Sequence, residues 1–171
     1  GTVEKIVEFK DANDAEKAVR EINTGTYAFN NQSLFEGLKH LNNNNAQQEY
    51  YLTDLVDILK KLGKKVVAIP CDDWQEVQGI NGNVELAHAA KYMQERINTE
   101  WMKKGVTIYD PNTTYIGPNV TFGTDVIIHP NTYLYGDVTV EDYAEILPGT
   151  WLEDTNVSKA ETVGPFVRRK G

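Results

Sequence analysis

A chain of 171 residues is long enough for one domain or two small ones, and its 40% hydrophobic content is sufficient for a packed core. Its formal net charge of -8 repels nucleic-acid phosphates, which argues against extended DNA or RNA binding. No apolar run approaches the ~18 residues that span a bilayer, and the N-terminal residues lack a signal-peptide pattern. Cys71 is the only cysteine, so an internal disulfide is excluded. We therefore expect a cytoplasmic protein without a membrane span.

The first thirty residues are typical of a strand, a helix and a second strand. Residues 2–10 alternate between two faces, as a strand does. Asn13 and Glu16 form a capping-box pattern, which predicts a helix from residue 14 to about residue 20. Residues 22–29 are typical of a second strand.

Two helices and a short strand are predicted next. Apolar residues at helical spacing indicate a helix from near Ser33 that ends before the polar loop at residues 42–45. A third helix carries leucines from Leu52 to Leu62 and ends at Gly63. Residues 66–69 are typical of a short buried strand. This β-α-β-α-α-β order favours a layered α/β domain, although it contains no Gly-rich phosphate loop.

The longest predicted helix follows Asn83, a plausible N-cap. Its apolar residues recur every three or four positions until Lys103 and Lys104. We expect this helix to connect two unlike parts of the chain, with Gly105 as the hinge.

A period of six organises the rest of the sequence. Apolar side chains occupy every sixth position: Ile116, Phe122, Ile128, Leu134, Val140, Ile146 and Leu152. Two residues before each lies a small or β-branched residue: Thr114, Val120, Val126, Thr132, Val138, Ala144 and Thr150. This hexapeptide pattern predicts a parallel β-helix that begins near Val106, whereas the alternative of a β-meander would alternate with period two.

Five side chains are candidates for a sugar- or phosphate-handling site. Glu8, Asn23, Tyr51, Thr53 and Asn81 offer the carboxylate, amide and hydroxyl groups that hold sugar hydroxyls or ligate Mg²⁺. Their spacing forms no motif, so a surface, turn or capping role is the alternative for each.

The histidines and paired aspartates are weaker candidates. His40, His88 and His129 show no metal-ligand spacing. His129 follows inward Ile128 and should point outward, where it would act as a general base or lie as a solvated imidazole. Asp72 and Asp73 fit either a metal site or an acidic turn.

Several stretches of sequence resemble one enzyme family over nearly the whole chain, in the right order. They are VEKIVEFKDA, REINTGTYAF, NNNNAQQEYYLTD, EVQGINGNVEL, GVTIYDPNTTYIG and TVGPFVRRKG. The sequence resembles the bacterial bifunctional N-acetylglucosamine-1-phosphate uridyltransferase and glucosamine-1-phosphate N-acetyltransferase family. The resemblance implies α/β plus β architecture. Residues 1–82 would form the C-terminal part of a Rossmann-like nucleotide-diphospho-sugar transferase domain, 83–104 a linker helix, and 105–171 a left-handed parallel β-helix.

The resemblance also implies a reaction and roles for the candidate residues. The parent enzyme makes UDP-N-acetylglucosamine for cell-wall synthesis from UTP and N-acetylglucosamine 1-phosphate with Mg²⁺, acetylates glucosamine 1-phosphate with acetyl-CoA, and is a homotrimer. By resemblance Glu8 and Asn23 contact the N-acetylglucosamine moiety. Tyr51 and Thr53 match sugar-phosphate contacts, and Asn81 matches a magnesium ligand.

This chain departs from the family pattern at several points. The family's nucleotide loop, catalytic lysine, uridine-binding residues and metal-binding aspartate precede the matched segment, so we assign no catalytic residue and expect this chain alone to be inactive. Gln48 stands where the family usually has a glycine, and the β-helix looks shorter. Residues 168–170 match only the first basic segment of the acetyltransferase site. They would form either a phosphate clamp or a basic tail. A free-standing hexapeptide acyltransferase and a non-catalytic trimerisation module remain alternatives.

Overall fold

The computed structural model describes residues 3–171, which form two units, residues 3–79 and Ile80–Gly171. In the first unit the described elements are all helical. They are α1 (Asp14–Lys17), α2 (Asn31–Leu38), a 3₁₀ helix (Leu52–Asp54), α3 (Leu55–Lys61) and a second 3₁₀ helix (Trp74–Val77). The predicted capping box is present, since Asn13 and Glu16 each accept a hydrogen bond from the other's backbone N–H. Helix α1 nevertheless ends at Lys17, short of the predicted residue 20.

The core of the first unit is small and lies between α2 and α3. Leu55, Val56 and Leu59 are buried, and Gly37 of α2 lies against Leu55 and Leu59. A Cβ at Gly37 would approach Leu55 Cδ2 to 2.9 Å, so the absent side chain permits the contact. Gly63, at φ +73°, ends α3 as predicted.

The three strands predicted in the first unit are wrong for the described residues. Residues 3–10, 22–29 and 66–69 carry no strand; Thr2 lies outside the described part of the chain. Alternation alone does not make a strand, because a strand requires backbone hydrogen bonds to a neighbour in register. Residues 66–69 are not buried either, since Val67 and Ile69 are 57% and 87% exposed.

Helix α4 (Asn83–Lys103) opens the second unit. Its N-cap is Gly82 and not Asn83, because the Gly82 carbonyl accepts the first helical hydrogen bond, from Leu86 N at 3.0 Å. Asn83 is already helical, so the predicted cap is wrong by one residue.

Eleven strands follow α4 within the described residues and wind as a left-handed parallel β-helix. They are β1 (Thr107–Ile108), β2 (Thr114–Ile116), β3 (Thr121–Phe122), β4 (Ile127–Ile128), β5 (Thr132–Tyr135), β6 (Thr139–Val140), β7 (Glu145–Ile146), β8 (Trp151–Glu153), β9 (Asn156–Val157), β10 (Thr162–Val163) and β11 (Arg168–Lys170). Three parallel sheets result, in the orders β1-β4-β7-β10, β2-β5-β8-β11 and β3-β6-β9. This stacking confirms the hexapeptide prediction and excludes the meander.

Both rows of the sequence repeat point into the β-helix. The second row, from Thr114 to Thr150, is at most 2% exposed throughout. The first row is at most 5% exposed except Phe122, which is partly buried and packs against the core. The apolar row continues past Leu152 through Val157 and Val163, after a step of five residues instead of six.

Helix α4 covers the first coil of the β-helix. Strand β2 is an edge strand, so the carbonyl of Thr114 has no strand partner. The buried amides of Gln94 and Asn98 donate to this oxygen at 2.8 and 2.9 Å. Trp101 packs edge-on against Phe122, with ring centroids 4.9 Å apart. The helix thus supplies hydrogen-bond donors to the edge strand β2 and shields the end of the core from solvent.

Candidate functional site

An open depression of about 250 Å³ lies in the first unit and is lined largely by polar side chains. A turn that closes with a hydrogen bond from Asp11 N to Glu8 O at 2.9 Å supplies one wall. The other walls come from Asn44 and Asn45 and from the segment around Tyr51. Carboxylate, amide and phenol groups are those that bind sugar hydroxyls.

The structure brings together three of the five predicted residues. Thr53 is buried, and its hydroxyl donates to Glu8 Oε1 at 3.1 Å across 45 residues of sequence. Glu8 and Tyr51 both line the depression. The bond leaves the second carboxylate oxygen of Glu8 available to a hydroxyl donor.

Asp11 is a site residue that sequence reasoning missed. Its Oδ1 accepts the backbone N–H of Ala46 at 2.8 Å, and its Oδ2 accepts the Tyr51 hydroxyl at 3.2 Å. Nothing in the local pattern singled it out, because both partners lie 35 or more residues away.

The loop at residues 42–49, here called the asparagine loop, is fixed by its own side chains. Asn45 Oδ1 accepts from the backbone N–H groups of Gln47 and Glu49, both at 3.2 Å, and Asn45 also donates to Glu49 O. Gln48 has φ +56°, which lies in the left-handed region that residues other than glycine rarely adopt. A glycine would occupy this position without strain.

The depression is strongly acidic. Burial, reinforced by the negative charges of Asp11, Asp57 and Glu8, raises the pKa of Asp54 above its ordinary value. Partial burial and, to a smaller extent, the hydrogen bond to Asp11 raise the pKa of the Tyr51 phenol. Lys5 lines the same depression but is paired with Glu16. The arrangement favours hydroxyl donors and disfavours an anionic group inside it.

Asn23 and Asn81 do not join this group of contacts. Asn23 is exposed; its side-chain amide donates to Tyr27 Oη at 2.7 Å, and its Oδ1 accepts from Gly25 N. Asn81 belongs to the second unit, two residues before α4, and is exposed. Their predicted roles stay predictions.

The described residues do not by themselves fit a magnesium ion. Mg²⁺ prefers six oxygen ligands with at least one carboxylate, whereas Asn81 offers a single amide oxygen. Over residues 3–171, no group of three or more His, Cys, Asp or Glu side chains gathers in a metal-binding arrangement. We therefore assign no step of a reaction to the ion.

The weaker sequence candidates have structural partners. His129 is 23% exposed, and its Nε2 lies 2.7 Å from Glu145 Oε1. Asp73 caps the 3₁₀ helix that starts at Trp74 by accepting from Gln75 N, which favours the turn over a metal site.

The basic residues at 168–170 are mostly neutralised. Arg169 donates to Glu161 and Lys170 to Glu153, each at 2.7 Å, while Arg168 lies over the Trp151 ring. These pairs do not favour a phosphate clamp, nor the basic groove that an acyltransferase site would use.

Sequence comparison identifies relatives along nearly the whole chain. The bifunctional protein GlmU of Halalkalibacterium halodurans is 45% identical over 163 residues, which are 95% of this chain and 36% of that protein. The chain is a relative of part of the GlmU proteins. The GlmU of Latilactobacillus sakei is 48% identical over 157 residues (92% of this chain, 34% of that protein), and that of Streptococcus agalactiae 48% over 161 residues (94% and 35%). No family model matches the chain.

These comparisons confirm the resemblance found in the sequence. The chain spans about 36% of the length of the curated relatives it matches. In the part of the chain that the structure describes, no helix is long and apolar enough to cross a bilayer.

Proposed function

We propose that this chain forms the sugar-binding side and the β-helix scaffold of an enzyme that makes UDP-N-acetylglucosamine. The reaction joins UTP and N-acetylglucosamine 1-phosphate by attack of the sugar phosphate on the α-phosphorus of UTP, and pyrophosphate leaves. The product serves cell-wall precursor synthesis in the cytoplasm. The contact between Thr53 and Glu8 at 3.1 Å carries the proposal, because it fixes a carboxylate at the edge of a hydroxyl-binding depression.

The charge of the depression determines how the substrate lies. Glu8, Asp11 and Asp54 repel a phosphate group at close range. The sugar ring therefore enters the depression with its hydroxyls and acetamido group, and its phosphate stays at the mouth. Because its hydroxyl proton is donated to Asp11, Tyr51 is the candidate for a contact with the sugar ring of the sugar phosphate, and Asn23 for a contact with the acetamido side.

The remaining functions of the parent belong to the same proposal. Asn81 is the residue of this chain that the resemblance assigns as a magnesium ligand. Acetyl-CoA is a substrate of the parent only. We propose that the β-helix assembles as a homotrimer and that this chain alone does not turn over UTP.

Calorimetry with N-acetylglucosamine 1-phosphate and with free N-acetylglucosamine tests the binding. We expect the chain to bind both ligands, and Glu8→Gln to weaken both about tenfold, since a hydrogen bond to a charged group is lost. Glu21→Gln removes the same charge from an exposed position outside the depression and should bind like wild type. Equal affinity of Glu8→Gln and wild type would refute the assignment of the site.

Turnover is a separate question with its own measurement. Pyrophosphate release from UTP and N-acetylglucosamine 1-phosphate with Mg²⁺ should be absent for the chain alone. Release that Asn81→Ala abolishes would contradict this and identify the chain as a complete uridyltransferase.

A further inference from the structure

Both oxygens of the Asp11 carboxylate are used, and each holds a different wall of the depression. Oδ1 accepts from Ala46 N at 2.8 Å and so attaches the asparagine loop. Oδ2 accepts from the Tyr51 hydroxyl at 3.2 Å and so fixes the orientation of the ring. Among the described contacts, the side chain of no other acidic residue in the depression forms hydrogen bonds to both of these walls.

The sequence separations make these contacts important for the shape of the depression. Ala46 lies 35 residues and Tyr51 lies 40 residues from Asp11. A contact that closes so long a segment opposes chain entropy and selects one arrangement of its two ends. Asp11 is itself held, because its N–H donates to Glu8 O within the turn at residues 8–11.

We propose that Asp11 is the positioning residue of the sugar site: its carboxylate joins the asparagine loop to Tyr51 so that Asn44, Asn45 and Tyr51 face one ligand. This inference rests on the proposed function for the identity of the ligand. Asp11 acts through its two partners and need not touch the sugar.

Three variants separate this role from a general effect of charge. Asp11→Ala removes both contacts and should weaken binding of N-acetylglucosamine 1-phosphate about tenfold. Asp11→Asn keeps one acceptor oxygen and should lose about threefold. Asp72→Asn removes the same charge from an exposed position outside the site and should bind like wild type. Far-UV circular dichroism verifies that each variant is folded.

Two further readouts test whether Asp11 acts through its contacts with Ala46 and Tyr51. Combined with Tyr51→Phe, Asp11→Ala should lose less affinity than the product of the two single losses, because both act on one contact. Amide exchange of Ala46 should be faster in Asp11→Ala and unchanged in Asp72→Asn. Independent, multiplicative losses together with unchanged exchange at Ala46 would overturn the proposal, as would wild-type affinity in Asp11→Ala.

Failure of the proposed function gives a different result. A wild-type chain that binds neither N-acetylglucosamine nor its 1-phosphate would refute the sugar site. The exchange of Ala46 would then decide alone whether Asp11 positions the asparagine loop.

Discussion

Thr53 and Glu8 are 45 residues apart in sequence, and the Thr53 hydroxyl donates to the Glu8 carboxylate at 3.1 Å. Thr53 is buried at the start of the segment that leads into α3, so its hydroxyl has a fixed position. The bond leaves Glu8 half-buried and oriented toward the depression. A carboxylate that is already oriented loses less entropy when a ligand binds.

Thr53→Val should weaken sugar binding without unfolding the chain. Valine has nearly the same shape but no hydroxyl, so Glu8 is released from its fixed orientation. We expect about fivefold weaker binding of N-acetylglucosamine 1-phosphate, the effect of about one hydrogen bond. Calorimetry measures it, with Thr53→Ser as the control that keeps the donor. A Thr53→Val variant as tight as wild type would show that Glu8 does not depend on this contact.

Gln48→Gly should stabilise the first unit. A left-handed conformation costs a side chain about 1–2 kcal/mol, and part of the gain is offset by the greater freedom of glycine in the unfolded chain. We expect a net gain of roughly 0.5–1 kcal/mol. Gln48→Ala keeps the β carbon and should leave stability unchanged. Urea unfolding, monitored by hydrogen exchange of peptides from residues 3–79, distinguishes the two variants. Equal stability of wild type, Gln48→Gly and Gln48→Ala would contradict backbone strain at residue 48.

Asn98→Ala should destabilise the second unit. The Asn98 amide donates to Pro111 O and Thr114 O, both at 2.9 Å, and is fully buried. Its removal leaves a cavity and weakens the satisfaction of two carbonyls, which we expect to cost about 2 kcal/mol. Thermal unfolding tests this against Glu95→Ala, an exposed substitution on the same helix. Equal melting temperatures for the two variants would argue against the capping role of α4.

The pair of Arg169 and Glu161 should make the end of the β-helix sensitive to acid. The hydrogen bond from Arg169, followed by one from Ser158 N, lowers the pKa of Glu161 below its ordinary 4.5. Because the folded-state pKa is depressed, the pair stabilises the fold above pH 4.5 and loses this contribution as pH falls through the lowered value. NMR titration of the Glu161 carboxyl should show the pKa rising in Arg169→Met. Lys170→Met, which affects Glu153, should leave it unchanged; a rise in both variants would indicate a general charge effect.

The chain should self-associate as a homotrimer. Apolar side chains of the first unit are exposed, among them Phe9 (75%), Ile22 (83%) and Ile69 (87%), and exposed apolar surface favours association between copies of the chain. Sedimentation equilibrium should give three times the 19.3 kDa mass of one chain. A monomer at high concentration would contradict both the trimer and the prediction of self-association.

In the second unit the sequence predicted the long helix, the β-helix and its inward residues from Thr114 to Leu152. Period six arises because each coil repeats the same three corners, so inward positions recur whatever the outward residues are. The pattern was lost after Leu152, since one residue fewer separates it from Val157. Only stacking in three dimensions shows that Val157 and Val163 continue the same core.

The first unit could be predicted only in part. Helices depend on local spacing and caps, so α2, α3 and the capping box of α1 were found. Strands depend on partners distant in sequence, and the three predicted strands do not form among the described residues. For the same reason the sequence indicated Glu8, Tyr51 and Thr53 but not Asp11, whose importance lies in contacts across 35 and 40 residues.

The most direct test of the central claim is an NMR titration of the ¹⁵N-labelled chain with N-acetylglucosamine 1-phosphate. Our account predicts saturable shifts at Glu8, Asp11, Asn44, Asn45 and Tyr51, which line the depression, and a midpoint at about tenfold higher ligand concentration in Glu8→Gln. Shifts confined to the β-helix, or no saturable shift, would contradict a sugar site in the first unit.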